Sequence, residues 1–191
     1  MRPILCTTFA ILVLCGAASR LCAQTSADWA AAERAIRRLL PSHFPQLPPA
    51  VREDIERRRC TIPQTYFPGP PHGVISGAFA RAGQRDWAVL CSRDGRSTIL
   101  VFWAGSMTPA PAELAPADDR HFLQTIGNGQ IGYSRAIDRV HGAWILDQAK
   151  EYGGPLPKRL NHDGIDDAFV EKGSQVLYYE DGVWLELAGS D

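Results

Sequence analysis

Two apolar runs joined by a two-residue turn constrain this chain more than any other feature. Asp86-Trp-Ala-Val-Leu-Cys-Ser92 and Ser97-Thr-Ile-Leu-Val-Phe-Trp103 flank Arg93-Asp94-Gly95-Arg96. Asp-Gly between strand-like runs is a strong hairpin signal, because both central residues of the tight turn take positive φ. Neither run alternates cleanly between apolar and polar residues. Apolar side chains on both faces predict two central strands, covered by helices or by another layer.

The N-terminus has a different texture. Arg2 is positive, Ile4 to Ala18 is apolar apart from Thr7 and Thr8, and Leu21-Cys22-Ala23 precedes Gln24. That layout predicts a secretory signal peptide over residues 1–23 and a periplasmic or secreted product. The run is shorter than the roughly 20 apolar residues a spanning helix needs, so no membrane span is expected in the mature chain. Cleavage removes Arg2 and Arg20 and no acid, which takes the formal charge from -1 to -3. That balance predicts neither nucleic acid nor an anionic membrane as a partner. Hydrophobic content of 45% argues against disorder.

Cleavage also removes Cys6, Cys15 and Cys22 and leaves Cys60 and Cys91. In an oxidising compartment two cysteines are expected to pair. Two buried free thiols are the alternative. A redox role lacks its Cys-x-x-Cys motif.

Residues 24–59 read as a helical segment. Thr25-Ser26-Ala27-Asp28 offers a capping box, and Trp29, Ala32, Ile36, Leu39 and Leu40 share one helical face up to Pro41. A second helix is predicted from Pro49 to Arg59, with Val51 and Ile55 inward. Its Arg57-Arg58-Arg59 run stands beside Glu53, Asp54 and Glu56, which predicts a self-paired face. Residues 60–191 read as a β-rich domain. Pro63, Pro68, Pro70 and Pro71 mark an extended loop, Gly73 to Gly77 a short strand, and Met107 to Asp119 a Pro/Ala-rich surface connection. His121 to Ile126 and Gln130 to Arg135 read as strands turning at Gly127-Asn-Gly129. Val140 to Tyr152 reads as a mid-chain helix. The C-terminus reads as a meander: Asp167 to Lys172, Gln175 to Tyr179 and Val183 to Leu187. The fold class expected is therefore α+β, with antiparallel β meanders in blade-like sheets.

Two segments match at an offset of 81 residues: Gly83-Gln-Arg-Asp86-Trp-Ala-Val89 and Gly164-Ile-Asp-Asp167-Ala-Phe-Val170. Gly77, Phe79, Gly83 and Asp86 in the first, and Asn161, Asp163, Gly164 and Asp167 in the second, resemble the FG-GAP or VCBS-type repeats of secreted bacterial β-propeller proteins. Ala78, Ala80 and Ala82 replace acids in the first copy. The segments concerned are 73–103 and 159–187. The resemblance implies a β-meander scaffold that binds or supports rather than catalyses. A closed propeller needs several four-stranded blades, and this chain has room for about two.

The family's acidic loop also implies a candidate calcium site. Asn161, Asp163 and Asp167 would supply side-chain oxygens and Ile165 a carbonyl, in the oxygen-rich shell that calcium prefers. The competing reading is that these acids cap the turn by accepting backbone amides. The sequence carries no Gly-x-Ser-x-Gly, His-Glu-x-x-His or phosphate loop, so no catalytic residue is assigned. His162 beside Asp163, Asp166 and Asp167 is the one local cluster that could support acid–base work, which keeps an envelope hydrolase as the alternative. The leading expectation is an exported binding or structural protein, with a protein or a glycan as ligand. Trp87, Phe102, Trp103, Tyr178, Tyr179 and Trp184 lie on predicted strands and could pack the core or stack on such a ligand.

Overall fold

The computed structural model describes residues 25–154, 156 and 160–190. The expected export segment, residues 1–23, lies outside them. Thr25 caps the first helix, α1 (Ser26–Ala35). Its hydroxyl accepts the Asp28 amide and the Asp28 carboxylate accepts the Thr25 amide, so the capping box closes. The helix ends at Ala35 rather than running on to Leu40. Leu39 is drawn instead into a short strand, β1 (Arg38–Leu39), paired with β2 (Ile62–Pro63), which buries Leu39 and leaves Leu40 exposed. The second helix, α2 (Pro49–Arg57), starts on proline and buries Val51 and Ile55 as its spacing predicts. Buried Asp54 accepts from Arg57 and Arg58, so two of the three arginines in the run are paired on their own helix.

The first large sheet is a consecutive meander of β3 (Val74–Gly77), β4 (Asp86–Arg93), β5 (Arg96–Phe102) and β6 (Ala112–Asp118). Asp94 and Gly95, with φ of 52° and 76°, turn the expected hairpin. β6 replaces the surface connection expected at Met107 to Asp119. It is an edge strand with Pro116 inside it and a register shift opposite Ser97 and Ile99. An edge tolerates proline and bulges, since one side of its backbone needs no partner. A small hairpin follows, β7 (Leu123–Thr125) with β8 (Ile131–Tyr133).

The second large sheet is again a consecutive meander in space: β9 (Arg135–Val140), β10 (Gly164–Phe169), β11 (Gly173–Glu180) and β12 (Val183–Ala188). The third helix, α3 (Gly142–Tyr152), interrupts it between β9 and β10. The fold is thus α+β with antiparallel meanders, three α-helices and twelve strands among the described residues.

Strand alternation builds four layers. Val89, Cys91, Leu100 and Phe102 face outward from the first sheet onto Val51 and Ile55 of α2. Ala88, Leu90, Ile99 and Val101 face inward and meet Ile137, Ile165 and Leu177 of the second sheet. Val176, Tyr178 and Leu187 on the far side of the second sheet pack under Ile145 and Ala149 of α3. The order is α2, first sheet, second sheet, α3. Cys60, just past α2, is disulfide-bonded to Cys91 of β4 with Cα atoms 5.1 Å apart, which fastens the outer helix layer to the first sheet.

Candidate functional site

The seam between the two sheets is polar at one end and aromatic at the other. At the polar end Arg135 is fully buried. Its guanidinium donates to both carboxylate oxygens of Asp167, at 2.9 and 2.8 Å, to the carbonyl and hydroxyl of Ser97, and to the Ala115 carbonyl. The Phe122 ring lies 4.6 Å below its central carbon. Every charge here is matched within the protein, so this end is a structural clamp between sheets.

At the other end the strands deliver three rings. Trp103 follows β5, while Tyr179 and Trp184 are a cross-strand pair on β11 and β12. Their centroids lie 5.1 to 5.9 Å apart, within the range of favourable ring contacts. The indole N–H of Trp184 is buried and meets no acceptor among the described residues. Tyr179 also lines an open cleft of about 470 Å³, whose other walls are Ala80, Arg81, Asn161, His162, Glu180 and Asp181.

Asp163 locks the loop that borders this cleft. Its amide donates to the Ala78 carbonyl and its carboxylate accepts the Ala78 amide, both at 2.9 Å, so one residue bridges the two meanders. The other carboxylate oxygen lies 3.1 Å from Nδ1 of His141, and Arg139 stands 4.0 Å from the oxygen that accepts the Ala78 amide. The imidazole partner of Asp163 is therefore His141, which the sequence pattern did not single out. His162 instead hydrogen-bonds through Nδ1 to the Asp163 carbonyl, at 3.2 Å. A strand register could have revealed the pair: β9 and β10 are antiparallel with Gly164 opposite Val140, which puts residue 141 level with residue 163. An exposed imidazole steered by a carboxylate can carry a proton. No hydroxyl or thiol hydrogen-bonds to either histidine among the described residues.

The four residues considered for calcium do not converge. Asn161 is exposed at the cleft. Asp163 serves Ala78 and His141. Ile165 lies inside β10, paired with Leu177 and Arg139, with its side chain in the core. Asp167 spends both oxygens on Arg135. No group of three or more His, Cys, Asp or Glu is arranged to hold a metal among the described residues.

Asp86, the counterpart of Asp167 at the 81-residue offset, is fully buried at the start of β4. It accepts the Ala80 and Ala104 amides, each at 2.8 Å, and the Gln84 side chain. It caps the loop that leads to the cleft wall. Comparison of the chain with protein families, with curated proteins and with solved structures finds no match.

Proposed function

We propose that this chain is an exported, non-catalytic binding protein of the cell envelope or extracellular space, and that it takes a glycan at the aromatic end of the sheet seam. The observation that carries the reading is the cleft itself. Tyr179, packed on Trp103 and Trp184, gives it an aromatic wall, and Arg81, Asn161, His162 and Asp181 surround it with donors and acceptors. An aromatic plate stacks on the C–H face of a sugar ring while planar polar side chains satisfy its hydroxyls. The likeness to FG-GAP and VCBS-type repeats adds support, since two consecutive four-stranded meanders suit blade-like units. The disulfide suits an oxidising compartment.

The test is retention of the mature protein on insoluble peptidoglycan and on other envelope polysaccharides. Tyr179→Ala should lose retention while the far-ultraviolet circular dichroism of the folded protein is kept; its lost contacts with Trp103 and Trp184 should lower the melting temperature modestly. Recovery of one stoichiometric protein partner, with no polysaccharide retained, would replace the glycan with a protein ligand. The alternative of an envelope hydrolase draws on the His141–Asp163 pair. Turnover of an envelope polymer by the pure protein, lost in His141→Ala, would overturn the non-catalytic reading.

A further inference from the structure

We propose a second site, for an oxyanion, on the outer face of the first sheet. Three arginines from three elements converge on one cleft of about 340 Å³: Arg58 at the end of α2, Arg93 at the end of β4 and Arg96 at the start of β5. Cys91 and Thr98, themselves a cross-strand pair, also line it, as do the carboxylates of Asp94 and Glu113, so the arginines outnumber the acids by three to two. β5 runs from this cleft at Arg96 to the aromatic cluster at Trp103, so the two sites occupy opposite ends of one strand.

Arg93 and Arg96 are directly opposite each other across the hairpin. Like charges in that position repel and destabilise a sheet. Their nearest carboxylates do not resolve the repulsion by hydrogen bonding. Asp94 lies 3.9 Å from Arg93 and Asp118 lies 3.7 Å from Arg96, and neither arginine donates a hydrogen bond to the protein among the described residues. Both side chains are about three-fifths exposed, at 61% and 62%, so their donors stay available at the cleft mouth. Arg58 differs: Asp54 and Glu113 hold it at 2.7 and 2.9 Å, which fixes its orientation at the inner wall. Two exposed guanidinium forks at opposed strand positions, each only loosely ion-paired, suit a carboxylate or phosphate that bridges them by paired N–H donation. The ligand class is a small molecule bearing such a group, on the scale of a phosphomonoester or a dicarboxylate.

The experiment is an NMR titration of the mature protein with inorganic phosphate and, separately, with succinate, at ionic strength held constant with chloride. The expected result is saturable shifts of the amides of residues 93 to 98. R93Q/R96Q should weaken the response about tenfold, R93K/R96K should keep part of it, and R120Q, outside the cleft, should leave it intact. Saturation by phosphate alone assigns a phosphorylated ligand, and by succinate alone a carboxylate. Shifts that grow linearly without saturating, or equal binding by R93Q/R96Q, would overturn the site.

Discussion

Arg135 is the residue whose loss the fold can least absorb. It is a full charge buried between two sheets, and its worth depends on Asp167 receiving both forks. Removing one partner strands the other in a dry interior. Arg135→Ala should therefore cost about 3–5 kcal/mol in urea unfolding, whereas replacing both partners with apolar residues should cost far less. Arg135→Lys should not rescue, because a single ammonium cannot reach Asp167, Ser97 and Ala115 together. Asp166 presents the opposite balance. Burial raises its carboxyl pKa, and the facing Asp138 adds repulsion, against a lowering hydrogen bond from Ser174. One of its oxygens meets no donor. A carboxyl whose pKa is raised on folding holds its proton more tightly in the native state, so stability falls as pH climbs through and above the ordinary carboxylate range. Asp166→Asn should melt higher than the parent at pH 7. At pH 3, where both side chains are neutral, the difference should vanish.

Elements place the cleft through close backbone contacts. Gly142 opens α3 where the chain passes over the 160–163 loop. A Cβ there would stand 2.5 Å from the His162 carbonyl oxygen and 2.8 Å from that of Leu160. Both are backbone atoms, so Gly142→Ala should displace the loop, cost roughly 1–3 kcal/mol in thermal unfolding and weaken polysaccharide retention. The parts of this architecture legible in the sequence are those written locally. The Asp94-Gly95 hairpin, the α1 capping box and the last two strands, joined at Asp181-Gly182, carry their own turn or cap chemistry, whereas β10 begins at Gly164, three residues before the expected Asp167, and the expected strand end at residues 170–172 is the turn into β11. β6 and β9 carry no such chemistry. Pro116 masks the first, and the second opens with Arg135, a charge at a core position that only the distant Asp167 explains. The candidate site divides the same way. The polar loop 161–167 stands out in the sequence, but the pairing of Asp163 with His141, and of Asp167 with Arg135, depends on which strand neighbours β10. Spacing along the chain does not encode that.

At the scale of the whole molecule the two meanders share one inner core, so neither should survive alone. Far-ultraviolet and near-ultraviolet circular dichroism should report a single coincident unfolding transition; two separated midpoints would show the sheets to be independent. A chelator should leave that midpoint unchanged, since the protein itself occupies Asp163 and Asp167, and a calcium-dependent rise would restore the loop as an ion site. Reduction should lower stability by about 3–4 kcal/mol in the chain-entropy account, because the bond spans 31 residues. The same linkage has an outcome under proteolysis. The crossing from the helical layer to the first sheet is proline-rich, and its exposed part runs from Phe67 to Pro71. A cut there yields two pieces that still migrate as one on a non-reducing gel and part only when thiol is added. Damage at that crossing would nick the molecule without releasing the N-terminal fragment that carries Cys60.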